Sequence, residues 1–121
     1  MQDRYRLQRG SDFRRVYRAR RRRDGRLMSL YSGSNRLGHP RLGFSVSTKV
    51  GGAVVRNAVK RRLREASREW LDANPGETVD VVVVARPEAA RAVFADLRDD
   101  LIALLATVAP LPVEDRGRTP G

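Results

Sequence analysis

The chain has no cysteine, one histidine and one tryptophan. Without cysteine there is no disulfide and no thiolate metal site, so a reducing compartment is permitted. A single histidine leaves no metal-spaced ligand set and no Cys/His or Ser/His/Asp arrangement for nucleophilic catalysis. Lysine is almost missing, since 23 of the 25 basic residues are arginine. Acid is scarce over much of the length: residues 1–68 hold 20 Lys/Arg against 4 Asp/Glu, whereas residues 69–121 hold 5 against 10. No apolar run approaches the roughly 20 residues that span a bilayer. The opening MQDRYRLQRG lacks the apolar stretch of a secretion signal. A soluble cytoplasmic protein with no membrane partner is expected.

What is present suits one domain with one modest core: 121 residues, 40% apolar, with a net charge of +11. The charge is lopsided, which points to one polyanion-facing surface on an otherwise ordinary molecule. Arginine suits that role, because its planar fork binds phosphate and stacks on bases.

The most informative stretch is Val54–Leu71, VVRNAVKRRLREASREWL. At about 100° per residue, Val55, Val59, Leu63, Ala66 and Trp70 form one apolar stripe, the spacing of a helix docked on a core. Arg56, Asn57, Lys60, Arg61, Arg64 and Arg68 gather on the far side, with Glu65 and Glu69 to one flank. Arg62 borders the stripe, where its methylenes can cover the core edge. A merely solvated helix face mixes signs and gains i,i+4 pairs. This one has five cations and no acid, as expected of a face that binds a polyanion.

The remaining elements follow in order. Met1–Gly10 is a basic arm without periodicity. Ser11 is a candidate N-cap for a short helix over Asp12–Arg20, with Phe13, Val16 and Tyr17 on one side and Arg14, Arg15 and Arg18 on the other. The four arginines Arg20–Arg23 run into an Asp24-Gly25 turn and read as electrostatic or disordered. Arg26–Ser32 alternates as a strand, with Leu27, Ser29 and Tyr31 on one face and Met28 and Leu30 on the other. Gly33–Pro40 is a loop, and its His39 has no second ligand or carboxylate nearby for metal or general-base work. Arg41–Ser47 is a second strand, with Leu42, Phe44 and Val46 on one face and Gly43, Ser45 and Ser47 on a shallow one that leaves room for a flat group.

Thr48–Ala53 joins that strand to the central helix. Its glycines precede a helix N-terminus, but the GxxxxGK[ST] pattern of nucleotide hydrolysis is absent. Asn74-Pro75-Gly76 stops the helix. Val79–Ala85 (VDVVVVA) is nearly all β-branched and reads as a buried strand in the sheet's interior; Arg86-Pro87-Glu88 turns the chain. A last helix over Phe94–Val108 buries Leu97, Leu101, Leu104, Leu105 and Val108 and turns Asp96, Asp99 and Asp100 outward. Residues 110–121 read as a disordered tail behind a single domain, 1–109. The pattern fits a two-layer α+β sandwich. With no catalytic constellation, it reads as a binder of single-stranded or structured RNA.

The strings DFRRVY, LGFSVSTKVGGAVVRNAVKRRLREA and VDVVVVARP, in that order, resemble the protein component of bacterial ribonuclease P, and VSTKVGGAVVRNAVKRRLRE carries most of the specificity. The resemblance covers about Arg4 to Leu105. It implies an α-β-β-β-α-β-α order of the ribosomal-protein S5 domain 2-like type, with a left-handed β-α-β crossover and an extra short strand near Arg21–Arg23. It also implies an accessory subunit: the RNA subunit, with Mg²⁺, removes the 5′ leader of precursor tRNA. The protein itself holds no metal or cofactor and is a monomer when free. Carried onto this chain, Arg56, Asn57, Lys60, Arg61 and Arg64 face the catalytic RNA, with Arg62 and Arg68 on the same helix. Phe13, Tyr17, Tyr31, Gly43, Ser45, Ser47 and Lys49 line a cleft for the single-stranded leader. The family's Arg-Asn-Arg string is broken here at Ala58, so that contact is either lost or supplied by Arg62. The rival function is a small basic ribosomal or ribosome-assembly protein, which has no need of an aromatic cleft. A free-standing nuclease requires metal-binding carboxylates on the basic face, which the sequence does not place there.

Overall fold

The computed structural model describes residues 1–109, so the tail expected over 110–121 lies outside the described residues. Its elements are α1 (Gly10–Arg18), β1 (Arg21–Asp24), β2 (Met28–Ser34), β3 (Arg41–Ser45), α2 (Ala53–Ala73), β4 (Val79–Ala85) and α3 (Phe94–Leu105), with 3₁₀ turns at Asp3–Tyr5 and Pro87–Arg91. This is the expected α-β-β-β-α-β-α order. The four strands form one sheet in the order β1-β2-β4-β3. β2 runs antiparallel to both β1 and β4, and β3 runs parallel to β4, with α2 as the crossover between them.

Strand β4 is central because it is apolar on both faces. Val81, Val83 and Ala85 join the main core with Leu63, Trp70 and Leu101 under α2 and α3. Val82 and Val84 face the other way, where Val16 of α1 and Leu7 pack. Burying each such side chain contributes roughly 1.5–3 kcal/mol. The sheet is therefore covered on both sides, and α1 adds a partial third layer to the expected two.

Several local expectations are corrected. Helix α1 starts before Ser11, with Arg9 at the cap position and no side-chain cap, and it stops at Arg18 rather than Arg20. The arginine run is neither loop nor disordered, as composition suggested, but the short strand that the resemblance implies: Arg21–Asp24 pairs residue by residue with Ser29–Ser32. The chain turns after it, where the Gly25 amide donates to the Met28 carbonyl at 2.7 Å. Leu27 precedes β2 and enters the main core, instead of sharing a face with Ser29 and Tyr31. Strand β3 ends at Ser45, since Ser47 already accepts the Val50 amide in a turn.

Asp100 does not point outward with Asp96 and Asp99. Its carboxylate accepts the Leu27 amide at 2.9 Å and the Arg26 amide at 3.3 Å. These turn amides have no partner in the sheet and need an acceptor. At Gly25 a Cβ would lie 2.7 Å from that carboxylate, so only glycine permits the approach. The N-terminal arm is docked as well: Leu7 is buried, its amide donates to the Leu42 carbonyl at 2.9 Å, and Arg6 bridges to Leu42 in parallel. The arm thereby shields the outer edge of β3.

Candidate nucleic-acid interface

Helix α2 buries Val59, Leu63, Ala66 and Trp70 as the stripe predicts, and adds Ser67 and Leu71. The Trp70 indole donates to the Ala109 carbonyl at 2.6 Å, so the buried ring leaves no unmatched donor. Val55 departs from the stripe: it is 39% exposed and lies over Gly51 in the preceding turn rather than in the core. On the far side Asn57 and Arg61 are exposed, while Arg56, Lys60, Arg62 and Arg64 are half-buried. Among the described residues no carboxylate comes within 4.0 Å of any of these cations. Arg68 differs, with Glu65 at 3.2 Å across one turn. That exposed pair contributes little to stability but removes Arg68 from the unneutralised set. The first turn of α2 holds no acid and no side-chain cap, so the positive end of the helix dipole adds to the cationic face.

The α1 face of the sheet is built in rows across the strands. Gly33, Asp80 and Arg41 make one row; Arg22, Tyr31, Val82 and Gly43 make the next; Asp24, Ser29, Val84 and Ser45 make the third. Helix α1 crosses the first two. The Tyr17 ring meets Tyr31 edge-on, with centroids 4.9 Å apart and planes at 89°. Phe13 instead covers Gly43, where an added Cβ would fall 2.5 Å from the ring. So the flat group received by the shallow strand face at Gly43 is the protein's own Phe13. The Arg22 guanidinium stands 5.5 Å from the Tyr31 ring centre, a cation–π distance. Phe13, Tyr17 and Tyr31 are all half-buried, with part of each ring accessible.

The third row borders this aromatic group. Asp24 accepts from Ser29 Oγ at 2.7 Å and from Arg22 Nε at 2.7 Å, and Arg86 reaches Ser29 Oγ at 3.3 Å. The Ser29 hydrogen bond, then that of Arg22, holds the Asp24 carboxyl below its ordinary range. The local acid is thus matched internally. Ser45 is half-buried at the β3 end of this row, but Ser47 and Lys49 lie exposed in the turn that follows, off the sheet.

Two grooves join the regions. One of about 270 Å³ has Phe13 and Gly43 on one side and Lys60 and Arg64 on the other. A second, of about 660 Å³, runs between Met1, Gln2 and Tyr5 of the arm and Arg61, Arg64 and Arg68 of α2. Tyr5 and Arg22 were not anticipated as site residues. A signal existed for Tyr5, an aromatic interleaved with Arg4 and Arg6, whereas Arg22 comes to the Tyr31 face only through the pairing of β1 with β2. Asp80 carried no such signal within VDVVVVA. It is fully buried and accepts from Arg41 at 2.8 and 3.0 Å, from Asn35 at 2.8 Å and from Arg15. Burial pushes its carboxyl up, but the hydrogen bonds from Arg41, Asn35 and Arg15 outweigh this and hold it below the ordinary value. The cluster fastens α1 to the sheet and so sets the height of Tyr17 above Tyr31. His39 packs edge-on against Tyr5 at 5.7 Å. Among the described residues no group of three His, Cys, Asp or Glu converges to hold a metal ion.

The arrangement offers guanidinium groups, accessible rings and hydroxyls, which are groups suited to holding a nucleic acid. A family model described as Ribonuclease P matches residues 1–109. The chain is 40% identical over 99 residues to the ribonuclease P protein component of Clostridium botulinum strain Langeland, covering 82% of this chain and 89% of that one. It is 46% identical over 105 residues to the Acidothermus cellulolyticus protein of the same description, covering 84% and 86%. The fold is similar to the Staphylococcus aureus RNase P protein, with a TM-score of 0.78 and 30% identity over 89% of this chain and 98% of that one. It is similar also to the RNase P protein of Thermotoga maritima, with a TM-score of 0.75 and 29% identity over 84% and 96%. The basic helix, the aromatic face and these likenesses agree, and the chain belongs to the ribonuclease P protein family, the RNA-binding subunits of a tRNA-processing ribonucleoprotein.

Proposed function

We propose that the protein works in two places at once: α2 holds the catalytic RNA subunit, and the aromatic face between α1 and the sheet holds the single-stranded 5′ leader of precursor tRNA. The observation that carries this is the groove that sets half-buried Phe13 opposite Lys60 and Arg64, where the aromatic group it shares with Tyr17 and Tyr31 meets the acid-free face of α2. Cations hold a phosphate backbone without regard to sequence. Accessible rings hold unpaired bases. Hydrolysis belongs to the RNA subunit with Mg²⁺. The protein supplies screening charge and substrate position, and acts in the cytoplasm as a monomer until it meets the RNA. Arg62, one turn beyond Ala58, takes the contact that the Arg-Asn-Arg string would otherwise supply.

Stacking on an aromatic is worth roughly 1–3 kcal/mol per base. Tyr17→Ala in the assembled holoenzyme is therefore expected to weaken binding of precursor tRNA with a leader of several nucleotides, and to leave mature tRNA nearly unaffected. Equal losses for both would make Tyr17 a structural residue and remove the cleft assignment. Phe13→Ala is the poorer probe, because Phe13 also fills the space above Gly43.

A further inference from the structure

Strand β1 lies at the opposite sheet edge from β3, roughly 14 Å away across three strand spacings. Arg22 and Asp24 turn to the α1 face and pair with each other. Arg21 and Arg23 are in register with Ser32 and Leu30 and so lie on the other face. With Arg20 they line a recess of about 600 Å³, whose walls also include Ser32, Thr78 and Thr107 and whose one acid is Glu77. All three arginines are exposed, and among the described residues none has a carboxylate within 4.0 Å.

Charge on an edge strand can serve merely to prevent edge-to-edge association. That role needs neither a single sign nor the backbone of Arg20. At φ 58° Arg20 is the one non-glycine residue with positive φ among the described residues. It sits just past the Ala19 cap of α1, in the left-handed position that glycine fills without strain. A side chain kept there against its backbone preference points to a use for that side chain. The recess contains no aromatic residue, so it offers no platform for unpaired bases.

We propose that Arg20, Arg21 and Arg23 form a second RNA-backbone contact, which grips a base-paired segment of the RNA subunit at the sheet edge away from α2. This rests on the assignment of α2 to the same RNA. The test compares full-length wild type, Arg20→Gly, the double variant Arg21→Ser/Arg23→Ser, and Arg61→Ala. RNA-subunit affinity is measured at several monovalent salt concentrations, and melting temperature is measured in parallel. Arg20→Gly is expected to melt no lower than wild type, because it relieves the backbone, and yet to bind the RNA subunit more weakly. The slope of log affinity against log salt should become shallower by about one for each arginine removed. The preference for leader-bearing over leaderless tRNA should stay as in wild type.

Unchanged RNA-subunit binding in both β1 variants, with Arg61→Ala impaired, would overturn this proposal and leave the α2 assignment standing. A loss confined to tRNA would overturn it too, by giving the recess to the substrate. Unchanged binding in Arg61→Ala, beside impaired β1 variants, would instead remove the α2 assignment.

Discussion

Asp80 shows how one residue decides a site that it does not touch. Its carboxylate is buried and bound by Arg15, Arg41 and Asn35, and the carboxyl titrates below its ordinary value of 3.8. The folded protein takes up this proton less readily than the unfolded chain. The stabilisation is thus complete above that ordinary value and is lost as pH falls through the lower folded one. Asp80→Asn is expected to cost about 3 kcal/mol, since it removes the buried charge shared by Arg15 and Arg41 and leaves them only Asp12, at 3.7 and 3.4 Å. It should also flatten the acid dependence, as read by urea unfolding at a series of pH values. Gly43 makes the complementary case. Gly43→Ala would drive a methyl into Phe13 and is expected to cost about 1–3 kcal/mol as the ring is displaced. Leader affinity should fall in the same variant, measured where the protein remains folded.

At the scale of elements, α2 has two faces with separable effects. Arg61→Ala or Arg64→Ala should leave the melting temperature within the narrow range of surface substitutions. Either should weaken RNA-subunit binding and reduce its salt slope by about one. Normal binding across several salt concentrations would show that this face is not the contact. Trp70→Ala acts on the other face. It empties a fully buried site and strands the Ala109 carbonyl, and a loss of about 3–5 kcal/mol is expected in denaturant unfolding. The helix periodicity was legible because an amphipathic stripe is a local property. Its limits were not: Val55 fits the stripe by angle but lies where α2 has left the core, and Arg68 fits the cationic face but meets Glu65.

For the whole molecule, the charge asymmetry is the governing feature. RNA-free protein is expected to show no cleavage of precursor tRNA after extensive purification, and to lower the Mg²⁺ requirement when the RNA subunit is added. Robust metal-dependent cleavage by the protein alone would contradict the accessory role. The asymmetry also predicts steep salt dependence for every RNA complex it forms, because each phosphate contact releases counterions.

By itself the sequence determined what depends on near neighbours and on composition. The apolar stripe of α2, the β-branched run of β4, the glycine and serine alternation of β3 and the excess of arginine each arise from spacing along the chain, and they sufficed for the α+β order and the basic face. Spacing and composition do not say which residues from distant segments share a surface. The family resemblance implied the grouping of Phe13, Tyr17 and Tyr31 and a strand near Arg21–Arg23, and the tertiary structure decided the contacts. It set Phe13 over Gly43 and Tyr17 against Tyr31, buried Asp80 among arginines 39 and 65 residues away, docked the arm on β3, and ordered Arg21–Asp24 as an edge strand. The physical reason is strand pairing. A run such as RRRD has no local preference for β structure and acquires one only when β2 presents its free backbone groups to it.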